Sequence, residues 1–283
     1  MLIIGCGDIG AKVAEIGQKN GHKVLALVRS NASADQLQSK DISPLCVDLD
    51  TEKPPAEIDK HNEIYYFAPP PPSGQDDPRI SKVLSRLSAT HKQRIVYIST
   101  TGVYGNCNGE WVDEERPANP QVDRSKRRWS AEQQLRQWQQ KTGGEIVILR
   151  VAGIYGPNKL PLARLQKQVP IIEESAAPWT NRIHSEDLAA ICWEAMRKGG
   201  DGEVYNVSDG APGNMTDYFN QVADATGLDR PPIISTEQAQ KELSAGMLSY
   251  LGESRRMNNK KLLRDLGIEL KYPNLKAGLA ASL

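Results

Sequence analysis

Gly5, Gly7 and Gly10 stand in a G-x-G-x-x-G spacing, with Cys6, Asp8 and Ile9 among them, directly after the apolar run Leu2-Ile3-Ile4. A helical pattern starts at Ile9, so the glycines fall where a strand turns into a helix. The chemistry this spacing serves is pyrophosphate binding. Gly5 allows the tight turn, Gly7 lets the backbone approach the phosphates, and Gly10 lets helix and strand pack closely. The unpaired amides of the helix N-terminus then face negative charge. A second strand-like run, Lys23 to Val28, ends in Arg29-Ser30 and not in a carboxylate. An acidic side chain there would hold the ribose 2′-hydroxyl of NAD, whereas a guanidinium and a hydroxyl suit a 2′-phosphate. NADP is therefore the expected cofactor, with NAD less favoured. Taken alone, the glycines also fit an ordinary turn, and their context has to decide.

That context is a doubly wound α/β pattern. After Gly10, Val13, Ala14, Ile16 and Gly17 keep one helix face apolar or small, and Asn20-Gly21 supplies a left-handed cap. Further strand-like runs follow at Ile42 to Val47, Glu63 to Ala68, Arg94 to Ser99 and Glu145 to Arg150, with helical patterns at Ile80 to Leu87 and Ser130 to Lys141. Such alternation implies right-handed crossovers onto a parallel sheet of the Rossmann type, covered by helices on both faces. Ligands of these sheets sit beyond the carboxyl ends of the strands. The stretches just past those ends are Gly5 to Gly10, Arg29-Ser30, Asp48-Leu49, Ala68-Pro69, Ser99 to Gly105 and Val151 to Pro157, all rich in small, polar or turn residues. They supply the candidate cofactor contacts Gly5, Gly7, Asp8, Ile9, Gly10, Arg29, Ser30, Asp48, Leu49, Ala68, Pro69, Ser99, Ala152 and Ile154.

From residue 158 the pattern loosens. Leu160 to Gln168 reads as a short helix, and a second helix is expected with Ser185 as its cap and Leu188, Ile191, Cys192 and Met196 on its buried face. A strand at Glu203 to Val207 returns to the sheet. Thr216 is the expected cap of a helix that buries Phe219 and Val222 and stops at Gly227, and Arg256 to Tyr272 reads as a helix and exit segment. The expected division is a dinucleotide-binding domain over 1–157, also receiving the strand near 203–207, and a smaller C-terminal substrate lobe over 158–283.

Composition removes several classes. Lys+Arg and Asp+Glu both number 35 in 283 residues, so no net charge draws the chain to nucleic acid or to an anionic membrane surface. The apolar runs are strand-sized, short of the roughly 20 residues that span a bilayer. The first strand begins at the initiating Met, which leaves a cytoplasmic address as the expectation. Four scattered cysteines, Cys6, Cys46, Cys107 and Cys192, form no C-x-x-C pair and have no histidine at ligand spacing, so no metal site is expected. Cys6 lies inside the glycine loop, where its modification is expected to block the cofactor.

At Ser99-Thr-Thr-Gly-Val-Tyr-Gly105 the chain begins to resemble the extended short-chain dehydrogenase/reductase superfamily, the NAD(P)-dependent epimerases and dehydratases acting mostly on nucleotide sugars. The resemblance extends to Leu149-Arg-Val-Ala-Gly-Ile-Tyr-Gly-Pro157, Arg182-Ile-His-Ser-Glu-Asp-Leu188, Tyr205-Asn-Val-Ser-Asp-Gly210, Arg256-Met-Asn-Asn-Lys-Lys-Leu262 and Tyr272-Pro273. It implies that Thr100 polarises the reacting oxygen and that a Tyr-x-x-x-Lys pair on the next helix moves the proton. That pair is missing. Lys126 as the lysine puts Val122 at the tyrosine, and Arg128, which has Glu132 one turn later, puts Arg124 there. Arginine stays protonated and cannot exchange a proton near neutrality, so the chain resembles the atypical branch. Tyr104 and Tyr155, both after strand ends, are candidates to substitute, or else wall residues whose hydroxyls bond to backbone. Arg128 is a candidate to hold a cofactor or substrate phosphate, and His184 is expected to anchor the lobe through hydrogen bonds. The resemblance implies an oxidoreductase or epimerase/dehydratase-like enzyme for a nucleotide sugar or another small hydroxyl or carbonyl substrate, possible as a homodimer through Ser130 to Lys141. The missing tyrosine leaves a non-catalytic NADP-binding sensor or scaffold as the alternative.

Overall fold

The computed structural model describes residues 1–88 and 92–283. Its centre is a seven-stranded sheet built from β1 (Leu2–Ile4), β2 (Leu25–Val28), β3 (Ser43–Cys46), β4 (Glu63–Tyr66), β5 (Arg94–Thr100), β6 (Glu145–Val151) and β7 (Val204–Val207). The order is β7-β6-β5-β4-β1-β2-β3, and every neighbouring pair is parallel. Strand order therefore reverses beside β1, and the crevice opens between β1 and β4, where such sheets hold their ligands.

Both faces are covered, as the near-continuous apolar strands require. Ile3, Val96, Val147 and Leu149 pack under α1 (Asp8–Lys19), while Leu2, Ile64, Ile95 and Ile148 pack under α3 (Pro78–Leu84) and α4 (Asp123–Thr142) on the other face. The alternation along each strand is the period-2 pleat of a sheet buried on both sides. α4 starts seven residues before the expected Ser130. Its apolar residues Ala131, Leu135 and Trp138 are all in the sheet core.

Two elements from the second half also belong to the sheet layers. α5 (Ser185–Lys198) packs against α1 with Leu188, Ile191 and Cys192 buried, and α7 (Lys260–Leu266) adds Leu262 and Leu266 to the same core. A separate small core, with Leu165, Ile171, Met215, Phe219, Val222 and Leu279, surrounds α6 (Met215–Thr226). Three local expectations are corrected. His184, not Ser185, caps α5, its Nδ1 accepting from the Glu186 amide at 3.3 Å. Asn214 caps α6, because the Thr216 hydroxyl instead donates to the Ile172 carbonyl at 2.7 Å. Residues 256–272 hold a short strand, Arg256–Met257, ahead of α7, and a further helix follows at Leu275–Ala280.

Candidate functional site

The three glycines of the first loop meet three different surroundings. Gly5 has φ +86°, and a Cβ on it would lie 2.4 Å from the Ala68 amide nitrogen, so the loop after β1 is pressed against the end of β4. A Cβ on Gly10 would lie 3.2 Å from both Ile3 and the Cys6 sulfur, the close helix-to-strand approach. A Cβ on Gly7 would meet nothing within 4 Å. Gly7 also caps α1 without a side-chain hydrogen bond, and Gly7 and Asp8 are exposed. These features fit a dinucleotide pyrophosphate.

The other strand-end candidates surround this turn. Arg29 and Ser30 follow β2, both exposed, and Ser30 caps α2 (Asn31–Gln38) by accepting from Ser33 N. Asp48 accepts from the Asp50 amide at 2.9 Å and Leu49 is buried beneath it. The Ala68 amide donates to Ile4 O at 2.9 Å, and the Pro69 carbonyl accepts from Arg79 at 2.7 Å. Asp8, in the first turn of α1, pairs with Lys12 at 2.7 Å and with Lys159 at 3.4 Å. Ile9 is buried against the sheet. The Cys6 thiol is buried too, and that burial pushes its pKa up to about 12, so it stays protonated near neutrality and is a slow target for alkylation.

Beyond β5 and β6 lies a cleft of about 670 Å³, the size of a small-ligand site. Ser99, Thr100, Ala152 and Ile154 line its floor, with Arg128 from α4 on one side. Thr100 accepts from the Gly102 amide at 3.2 Å, leaving its hydroxyl proton to donate. Arg128 donates to the Ile98 carbonyl at 2.9 Å and to the Tyr97 hydroxyl at 3.3 Å. Lys126 instead points to Asp123 at 3.9 Å, so the register that places Arg128 on the cleft is the one the helix adopts.

Tyr104 and Tyr155 stand apart from it. Tyr104 is 2% exposed, donates to Asn206 Oδ1 at 2.8 Å, and burial pushes its phenol up to about 12 against the pull of Arg150. Tyr155 is fully buried, donates to the Asn274 carbonyl at 3.3 Å, and burial raises its pKa, helped by the charges of Asp209 and Asp187. Tyr155 has the backbone hydrogen bond of a wall residue, whereas the Tyr104 hydroxyl is held by a side chain. His184 is buried and edge-on to Tyr155, with burial lowering its pKa.

The cleft brings in residues that local pattern did not single out. Tyr218 of α6 and Tyr250 line it, stacked at 4.0 Å on Arg182 and Arg124 respectively. Glu253 and Arg255, paired at 3.0 Å, close its far wall. Behind Ser99 lies a buried pair. Glu132, fully buried, accepts from Arg150 at 2.8 Å and from the Ser99 hydroxyl, and the Arg150 guanidinium covers the Tyr104 ring at 4.6 Å.

Asp209, just after β7, gives the fold a pH signature. Burial pushes its carboxyl up to about 7, with only partial relief from the Ala211 amide and from Arg182, and Oδ2 has no hydrogen-bond partner. Between the ordinary carboxylate range near 4 and pH 7 the folded chain holds a proton that the unfolded chain has released. Stability is therefore expected to fall as pH rises through that window, by at most about 1.4 kcal/mol per pH unit. Urea unfolding of wild type and Asp209→Asn at pH 4.5 and pH 7.5 checks it. The variant should lose this part of the slope, and an unchanged slope would contradict the assignment.

Strand order, glycine turn and strand-end cleft together define a Rossmann-type α/β fold. Residues 79–208 match the model of the NAD dependent epimerase/dehydratase family. Human dTDP-D-glucose 4,6-dehydratase is 25% identical over 132 residues, 43% of this chain and 38% of that protein, so the match spans well under half of the relative's length. A functionally unknown conserved protein from Silicibacter pomeroyi DSS superposes with a TM-score of 0.85 at 29% identity, covering 99% of this chain and 96% of that one. The UDP-glucuronic acid 4-epimerase of Bacillus cereus, solved with UDP-glucuronic acid and NAD, shares the fold at a TM-score of 0.79 and 18% identity, over 100% and 98% of the two chains. Among the described residues no helix is long and apolar enough to cross a membrane, and no cluster of His, Cys, Asp and Glu could hold a metal ion.

Proposed function

We propose that the chain is an NADP-dependent oxidoreductase of epimerase/dehydratase type, acting in the cytoplasm on a nucleotide sugar or another small hydroxyl or carbonyl compound. The observation that carries this reading is the shared edge. The open glycine turn of β1 and the cleft floored by Ser99, Thr100, Ala152 and Ile154 lie past carboxyl ends of one parallel sheet. When bound, the nicotinamide supplies or accepts the hydride. Gly5, Gly7 and Gly10 with the first turn of α1 hold the pyrophosphate, Asp48, Leu49, Ala68 and Pro69 border the adenosine side, and Thr100 donates a hydrogen bond to the reacting oxygen. Residues 1–157 form the cofactor domain and 158–283 mostly the substrate lobe. Self-association, as a homodimer, would use the outer face of α4.

Arg29, exposed at the end of β2, is the basis for NADP over NAD. Calorimetry with both dinucleotides tests it. Arg29→Ala is expected to weaken NADP by about tenfold or more, the scale of one charge-assisted contact, and to leave NAD unchanged. Equal affinities in the wild type would remove the argument.

The buried hydroxyls of Tyr104 and Tyr155 favour one second reading, a dinucleotide-binding sensor or scaffold without chemistry. Stopped-flow absorbance at the reduced-nicotinamide band against a nucleotide-sugar panel separates the two. Turnover that Thr100→Ala abolishes supports the enzyme, and silence across the panel with tight dinucleotide binding supports the sensor. In the enzyme reading, Tyr218 and Tyr250 take the place of the wall tyrosines as candidate proton donors.

A further inference from the structure

We propose that the cleft takes a substrate with a carboxylate or phosphate beside its reacting carbon, held by Arg128 from the sheet side and Arg182 from the lobe. The inference rests on the dinucleotide reading only for which end of the cleft is reactive. Its basis is an imbalance of charge. Among the described residues lining the cleft, Arg124, Arg127, Arg128, Arg182 and Arg255 face a single carboxylate, Glu253. Glu253 is committed, at 3.0 Å to Arg255 and 3.5 Å to Arg124. Arg127, Arg128 and Arg182 form no ion pair within the described residues.

Each of these three uses only part of its guanidinium. Arg128 donates to the Ile98 carbonyl and the Tyr97 hydroxyl. Arg127 is 8% exposed, donates to the Gly74 carbonyl and leaves Nε without a partner. Arg182 donates to the Asn181 carbonyl and lies over the Tyr218 ring at 4.0 Å. Burial lowers the pKa of Arg182, and the nearby Asp209 and Tyr218 offset this only in part. Holding cations in a partly dry cleft without counterions is unfavourable, and an anion with matching geometry reverses that penalty.

The bound cofactor's own phosphates are in the wrong place to be this anion. The pyrophosphate turn follows β1, two strands from β5, and Arg29 follows β2, three strands away. At about 4.8 Å per strand, these lie roughly 10 and 14 Å from the end of β5. Arg128, in contrast, holds the carbonyl of Ile98, two residues before Thr100 on the same strand. Arg124, one helical turn away, is committed to Ser249, Tyr250 and Glu253. Arg182 stands between this cleft and a second cavity of about 420 Å³, lining both.

Calorimetry on the full chain, with and without saturating NADP, uses UDP-glucuronate and UDP-glucose as a pair differing by one carboxylate, together with malonate and inorganic phosphate. The expected result is at least tenfold tighter binding of UDP-glucuronate than UDP-glucose, or millimolar or tighter binding of malonate or phosphate. Arg128→Gln and Arg182→Gln should each reduce it at least tenfold, with thermal unfolding showing that each variant is folded. Binding of malonate or UDP-glucuronate assigns a carboxylate, and binding of phosphate alone assigns a phosphate. Equal affinity within the pair with no binding of the small anions, failure of every probe, or binding that survives both substitutions overturns the proposal. Loss of NADP binding with anion binding retained would sink the dinucleotide reading and leave this one standing.

Discussion

Glu132→Ala should cost about 3–5 kcal/mol of folding stability, the range for removing one partner of a buried ion pair. Glu132 is fully buried and the Arg150 side chain is 5% exposed. Both carboxylate oxygens are used, Oε1 by the Ser99 hydroxyl and Arg150 Nε, and Oε2 by the second Arg150 nitrogen. The truncation leaves a guanidinium on β6 with no counterion and a serine on β5 with no acceptor, both buried. For a chain of this size the loss corresponds to a fall in melting temperature of roughly 10 °C. The asymmetry of buried pairs supplies a control, because Glu132→Leu combined with Arg150→Met removes both charges and should recover much of the loss. Urea denaturation of the three proteins decides it. A single variant within about 1 kcal/mol of wild type would show that the pair contributes little to folding.

The same pair marks where sequence stops being informative. The glycine loop was legible because its spacing is read against a strand and a helix within ten residues, although the close approach of Ala68 to Gly5 comes from β4, far along the chain. The parallel order followed from alternation of periods, and the observed Gly21 at φ +79° is the left-handed helix end that Asn20-Gly21 suggested. Arg150 and Glu132 are 18 residues apart on different elements, and nothing in either neighbourhood says that they meet. Arg182 and Tyr218 are 36 apart, in the half where periodicity fades. Caps failed for a related reason. Thr216 has the right chemistry to cap α6, yet the Ile172 carbonyl, 44 residues earlier, takes its hydroxyl, and Asn214 caps in its place. The tyrosines at 104 and 155 were placed correctly after strand ends, but where a side chain points at a strand end depends on what packs over it. Asn206 and the Asn274 carbonyl are contributed by later parts of the chain.

Gly7→Val should abolish measurable dinucleotide binding while leaving the fold intact. Gly7 has φ −83° and ψ −150°, a conformation open to any residue, and a Cβ there meets nothing within 4 Å. The folded chain therefore loses nothing on the substitution, and the melting temperature should stay within about 2 °C of wild type, as for a surface change that breaks no contact. The empty space is the point. If it belongs to a pyrophosphate, two methyl groups fill it, and affinity should drop at least about 100-fold, roughly 2.7 kcal/mol. Gly5→Ala provides the opposite case, since φ +86° and a Cβ 2.4 Å from the Ala68 amide nitrogen require the β1 loop or β4 to move, so stability and binding should fall together. Calorimetry with NADP and a thermal melt on both variants read the two effects separately. If Gly7→Val binds the dinucleotide like wild type, the phosphates lie elsewhere and the assignment of the amino-terminal turn is wrong. If it melts like Gly5→Ala, the turn is held by packing at Gly7 that the open space around it does not reveal.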